Sequence, residues 1–291
     1  MHRRTLLASG ATLATAGLAG CSGQGGDGGY GGGGYGGGGS NGDGTPTPVP
    51  ASEAKWREGD GLNVQALVNA HRTALLEAGS FTLFSTADTS HDGEKRPDNW
   101  LFSQTYESQY ELERERQLLK QELTNLDESQ YAYVADDTAL YRLEKNGEVQ
   151  YNVKTVERTT KQFKQAMRKE ATVGVRGLDQ WALTVDGAVA RDGRELTRLT
   201  ADEFTGDRSV PSTVESASAE VLIQPNGVVR TISQTWKGTH ENQSVSVGVD
   251  IEFRDIGETT VAEPEWAEKA RSSGGTETAG SNTSGKLRGQ L

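Results

Sequence analysis

The hydrophobic positions along the chain change period at residue 79. Over residues 62–78, Val64, Leu67, His71, Ala74, Leu75 and Ala78 recur at helical spacing, which predicts an amphipathic helix stopped by Gly79. Beyond it the period is two. Trp100, Phe102, Tyr106, Tyr110 and Leu112 alternate with Ser103, Thr105, Glu107, Gln109 and Glu111, as in a half-buried antiparallel strand, and Gln104 and Ser108 interrupt the apolar face. Three short strands follow at 131–133, 139–143 and 149–153, with Asp136-Asp137 and Asn146-Gly147 as tight turns. A second meander runs through Ala219, Val221 and Ile223, turns at Pro225-Asn226-Gly227, and returns through Val228, Ile232 and Trp236. In its last strand Val245, Val247, Val249, Ile251 and Phe253 alternate with Ser244, Ser246, Gly248, Asp250, Glu252 and Arg254, so one face is wet and a one-residue slip would bury the charges.

Two segments fit less cleanly. Residues 113–126 carry Leu119, Leu123 and Leu126 at helical spacing inside a meander, leaving helix and strand both open, and 187–199 reads as a strand pair. Residues 160–171 read as a second helix, with Phe163, Ala166 and Met167 on one side and Lys161, Lys164 and Arg168 on another. The expected architecture is α+β and β-rich: an N-terminal helix, nine to eleven antiparallel strands and a helical insertion.

Composition divides the chain. Only 33% of the 291 residues are hydrophobic and 37 are glycine, 15 of them within the 23 positions from 22 to 44, a stretch with too little apolar surface to offset the entropy of ordering. We therefore expect a signal segment at 1–20, a Gly-rich tether at 21–51, one β-rich globular domain at 52–271 and a disordered tail at 272–291. The tether should span about 30 Å root-mean-square, from ~5–6 Å times the square root of its length. Net charge is −11 with a pI near 5.0, which argues against nucleic acid as a partner.

The first residues carry an address. A basic start at Arg3-Arg4 precedes a weakly apolar run to Leu18, broken by Gly10 and Gly17 and too short for the roughly 20 apolar residues of a transmembrane helix. Arg3-Arg4-Thr5-Leu6-Leu7 resembles the twin-arginine export signal, and Leu18-Ala19-Gly20-Cys21 resembles the lipobox of prokaryotic lipoproteins. The resemblance implies cleavage before Cys21, the only cysteine, and a lipid on its thiol. The mature chain would then carry 28 bases against 41 acids, −13, with no base between Cys21 and Lys55. Membrane attachment would rest on the lipid, on the outer face of the cytoplasmic membrane.

Gly23, Gly25 and Gly28 match a dinucleotide-loop spacing without a strand before or a helix after it, and carry no such function. There is no G-x-S-x-G elbow, phosphate-binding Walker loop or H-E-x-x-H. His91-Asp92-Gly93-Glu94 reads as an exposed turn rather than a metal site, His71 as a core histidine, and the acidic pairs Asp136-Asp137 and Asp250/Glu252 as solvated surface. No enzyme activity, metal or cofactor is expected. The stripe Lys161, Lys164 and Arg168 is either a solvated face or a contact for lipid headgroups, with Phe163 and Met167 dipping in. Asn242-Gln243-Ser244 and Asn282-Thr283-Ser284 match the N-glycosylation pattern, marking Asn242 and Asn282.

A helix followed by a long antiparallel sheet resembles the lipoprotein-carrier fold of the LolA/LolB type and the related LppX/LprG lipoproteins. The resemblance lies in Glu220-Val221-Leu222-Ile223 through Asn226-Gly227 to Trp236, and in the closing Val261-Ala262-Glu263-Pro264-Glu265-Trp266. With its Gly-rich tether and acidic bias the whole chain is similar to haloarchaeal surface lipoproteins. What this implies is a curved sheet, an open half-barrel, holding an apolar ligand such as lipid on its concave face. Trp100, Phe102, Tyr106, Tyr133, Tyr141, Tyr151, Trp236 and Val249 are the candidate lining residues, with plain core packing as the rival role for each. The alternative is a structural or interaction protein of the cell envelope without a small ligand.

Overall fold

In a computed structural model of the chain, the structure describes residues 54–59, 61–91, 103–156, 158–208 and 211–273. The two-residue strands β1 (Arg57–Glu58) and β2 (Gly61–Leu62) pair and lead into helix α1 (Val64–Ala78). Asn63 caps α1 by accepting a hydrogen bond from the Ala66 N–H at 2.9 Å. Gly79 ends it at φ 75°, the left-handed conformation glycine adopts without strain. Of the expected apolar face Leu67, His71 and Leu75 are buried and Val64, Ala74 and Ala78 half-buried, with Val68, outside that face, buried as well.

Six strands follow as successive hairpins: β3 (Ser80–His91), β4 (Gln104–Glu111), β5 (Arg116–Leu123), β6 (Glu128–Ala135), β7 (Thr138–Lys145) and β8 (Glu148–Thr155). A crossover then carries helix α2 (Thr160–Glu170) and the 3-10 segment Val175–Gln180. It leads to β9 (Thr184–Arg191), β10 (Arg194–Ala201), β11 (Thr213–Ile223), β12 (Val229–His240) and β13 (Gln243–Arg254), before a last helix, α3 (Ala267–Ser273). Strands β3 to β13 form one eleven-stranded antiparallel sheet in the order β8-β7-β6-β5-β4-β3-β13-β12-β11-β10-β9. The sheet is open and curved, with β8 and β9, neighbours in sequence, at its two edges.

The expectation of a β-rich α+β fold with a curved antiparallel sheet, an N-terminal helix and a helical insertion holds. Residues 113–126 resolve as strand β5 and a 3-10 turn (Thr124–Leu126). Their helical leucine spacing is outweighed because both faces of the sheet are partly covered here: Leu118 packs in a cluster on one side while Leu119 points to the other. The 187–199 segment forms the β9–β10 hairpin, and the Asn146-Gly147 turn uses φ of 51° and 79° as a tight hairpin requires. Helix α3 had no counterpart among the expected elements.

The pairing registers define two faces. On the first, Val249, Ile251 and Phe253 of β13 lie beside Ala87, Ser85 and Leu83 of β3, and the row continues through Tyr106, Ser108 and Tyr110 of β4. Helix α1 and the crossover cover this face and build the main core, which includes Leu67, Leu75, Phe81, Phe163, Met167, Val175, Leu178, Ile232 and Phe253. Contact is close: a Cβ at Gly174 would collide with the Ile251 side chain. On the second face, Leu118, Tyr133, Leu140, Tyr151 and Val153 of β5–β8 gather under the C-terminal segment, through Val261, Trp266, Ala267 and Ala270. That segment is pinned where buried Glu111 accepts the Val261 N–H at 3.0 Å and where Thr82 and Thr259 share a 3.0 Å hydroxyl contact. The β13 row of Ser244, Ser246, Asp250 and Glu252 on the second face stays outside the core, as its alternation predicts.

Candidate functional site

An open groove of about 410 Å³ lies where β2, the start of α1, the end of the 3-10 segment and the entry to β9 converge. Its apolar walls are Leu62, Val64, Leu178, Trp181 and Leu183, and its polar positions include Glu58, Asn63 and Asp179. Each wall has a local cause. The Asn63 cap fixes Val64 as the first residue of α1. The 3-10 turn ends at Trp181, which returns to extended backbone and bridges Phe204, with the Thr205 N–H donating to the Gln180 carbonyl at 2.8 Å. Trp181 is then held by ring contacts to Phe204 and Trp236, each with centroids 5.1 Å apart. The lining carries two carboxylates and no base, so it disfavours an anionic group placed inside; Leu178, Trp181 and Leu183 are at most 6% exposed and form its floor, and Leu62 and Val64 are its partly exposed apolar side chains.

The candidate lining residues named from the sequence do not share one surface. Tyr106, Tyr141, Trp236 and Val249 lie on the helix-covered face, and Tyr133 and Tyr151 lie on the opposite one, which corrects the expectation of a single concave lining. Alternation gives a tyrosine its phase within a strand, but the covered face changes between β4 and β8. Trp236 is 2% exposed against Trp181, Phe204 and the Arg208 guanidinium, and Val249 is 6% exposed in the main core. Contact of either with a ligand would require the helical layer to move. Trp100, Phe102, Cys21 and Asn282 lie outside the described residues. Asn242 is exposed in the β12–β13 turn at φ 66°. The groove walls Leu178, Trp181 and Leu183 were missed, because two stretches more than a hundred residues apart, 58–64 and 178–183, supply the lining and no periodicity joins them; Leu62 and Val64 were legible only as part of the helix.

A polar network crosses the first face beside the groove-bearing helices. The Tyr106 hydroxyl donates to Glu170 Oε1 at 2.6 Å, Gln117 Nε2 donates to the Tyr110 hydroxyl at 2.5 Å, and Arg158 donates to Gln117 Oε1 at 3.3 Å while its guanidinium stacks 4.5 Å from the Phe163 ring. Burial raises the pKa of Tyr106, Tyr110 and the Glu170 carboxyl and lowers that of Arg158. Both tyrosines therefore stay protonated, Tyr106 donating to Glu170 and Tyr110 accepting from Gln117, and the network joins β4 and β5 to α2. His71 is a core histidine: its Nδ1 accepts the Val229 N–H at 3.1 Å, its ring meets Phe253 edge-on, and burial drives its pKa down to about 3. Among the described residues no group of three metal-ligating side chains is present, and no helix is long and apolar enough to cross a membrane.

Comparison with known proteins adds the following. One family model, described as a family of unknown function, matches residues 11–270. No curated protein matches the sequence. Among solved structures, LprF from Mycobacterium bovis is similar at 11% identity, with 70% of this chain and 97% of that chain covered and a TM-score of 0.37. The Mycobacterium tuberculosis lipoprotein LppX matches at 14% identity, covering 68% and 99%, with a TM-score of 0.37. A DUF1329 family protein from Desulfovibrio piger matches at 7% identity, covering 70% and 95%, with a TM-score of 0.25.

Proposed function

The chain belongs to that family of unknown function, DUF7537, and we propose that this member is a membrane-anchored extracytoplasmic lipoprotein that binds a neutral apolar ligand, with lipid acyl chain as the favoured class. The observation that supports the binding half is the groove of about 410 Å³, which falls within the ~300–1,000 Å³ range of small-molecule sites and has Leu62 and Val64 partly exposed above a floor of Leu178, Trp181 and Leu183. The anchoring half rests on the lipobox resemblance ending at Cys21.

The envelope-protein alternative keeps one specific observation in its favour: the face bearing Val249 and Trp236 is packed solid. A test must therefore address the groove itself. Val64→Glu puts a carboxylate on the groove wall, while an acid in the first turn of α1 favours the helix, so folding is retained. Uptake of the neutral fluorescent probe N-phenyl-1-naphthylamine should fall severalfold in this variant relative to the parent. Equal uptake by a folded Val64→Glu chain would remove the groove from the proposal and leave the envelope-protein reading.

A further inference from the structure

The crossover is basic in an acidic chain. Between residues 154 and 180 there are seven bases, Lys154, Arg158, Lys161, Lys164, Arg168, Lys169 and Arg176, against three acids, whereas the remaining 23 bases face 38 acids. One of the three acids, Glu170, is occupied by the Tyr106 hydroxyl and turned toward the sheet. On α2 the two large apolar side chains, Phe163 and Met167, are fully buried, Ala166 is half-buried, and Lys161, Lys164, Gln165, Arg168 and Lys169 are exposed.

Lys161, Lys164 and Arg168 form a single stripe at spacings of three and four, where like charges repel and no carboxylate pairs with them among the described residues. A local concentration of positive charge on the outward face of a packed helix is complementary to an anionic surface. Because Phe163 and Met167 point into the core, nothing apolar is free to insert, and the contact is electrostatic only. A four-residue turn, 171–174, joins the helix to the 3-10 segment whose Leu178 and Asp179 line the groove.

We propose that α2 docks the domain on the anionic headgroup surface of the membrane through Lys161, Lys164 and Arg168, bringing the groove wall carried by the same crossover toward the lipid. The anionic bilayer is favoured over other polyanions because the proposal rests on the anchored, lipid-binding reading given above. An anchored chain meets that surface at high local concentration, and its tether contributes no base to the contact.

The test removes the anchor. The full Cys21→Ser chain is compared with the same chain carrying K161E, K164E and R168E, by co-sedimentation with vesicles of phosphatidylcholine alone or mixed with phosphatidylglycerol, at about 0.1 M and about 1 M salt. A third chain carries R191E, R194E and K237E, exposed positions away from α2, and so the same change in net charge. The expected result is phosphatidylglycerol-dependent binding that falls severalfold in the α2 triple variant, persists in the control triple variant and is lost at the higher salt. Equal losses in the two triple variants, or binding indifferent to phosphatidylglycerol, would overturn the proposal. The lipid on native Cys21 is read separately by mass spectrometry, so failure of the anchor and failure of the docking face are distinguishable.

Discussion

Tyr106 on β4 donates its hydroxyl to Glu170 at the end of α2 across 2.6 Å, and this one bond ties the crossover to the far side of the sheet centre from the groove. Burial is the first cause of the raised Glu170 pKa, and the Tyr106 bond opposes it. A carboxyl whose folded pKa lies above its unfolded value binds more protons when folded, so its effect on stability is most favourable below the unfolded pKa and is lost as pH rises through the folded one. Tyr106→Phe removes the opposing bond, leaves Glu170 unpartnered and should lower stability by about 1–3 kcal/mol at neutral pH. The deficit should shrink as pH falls toward the ordinary carboxylate range. Melting curves of Tyr106→Phe and parent across that range check this; a deficit that stays constant with pH would contradict it.

His71 supplies the opposite slope. Its pKa of about 3 lies below the ordinary histidine value, so the unfolded chain binds the proton more readily and stability falls as pH drops from about 6.5 toward 3. His71→Leu leaves the Val229 N–H without its acceptor and should cost about 1–3 kcal/mol at pH 7. The same variant should lose part of the acid slope. Denaturant midpoints at several pH values in this window measure both effects in one series.

Val249 tests the packed face. At 6% exposure in the main core, a carboxylate at this position finds no water, and Val249→Asp should cost several kcal/mol, enough to unfold a domain whose total stability is about 5–15 kcal/mol. Circular dichroism and a thermal melt suffice. A folded Val249→Asp chain would mean that the helical layer lifts from β13 and admits solvent.

Cys21 tests the anchor. Cys21→Ser should either release the mature protein from the membrane fraction or leave its signal segment attached, because a hydroxyl does not accept the thioether-linked lipid. Fractionation after a high-salt wash, followed by intact mass, separates the two. Processed Cys21→Ser protein that still partitions with membranes would show that lipid is not the anchor.

The sequence by itself determined the elements whose periodicity is repeated in one short stretch: α1 with its Gly79 stop, the β6–β8 hairpins with their Asn146-Gly147 turn, and β13, whose valines at 245, 247 and 249 are buried and whose Asp250 is exposed. These are local properties, since side-chain phase and turn conformation are set within a few residues. Which face is covered was decided only by the tertiary structure. Tyr141 and Tyr133 sit on adjacent strands, and the β6–β7 register sets them on opposite faces; what covers each face is decided far away, since α1 and the crossover land on one while Val261, Trp266 and Ala270, more than a hundred residues downstream, land on the other. The groove has the same origin. Leu62, Leu178 and Leu183 meet only because β8 and β9 occupy opposite edges and the chain must cross the sheet between them, and alternation along a strand contains no information about where such a connection passes.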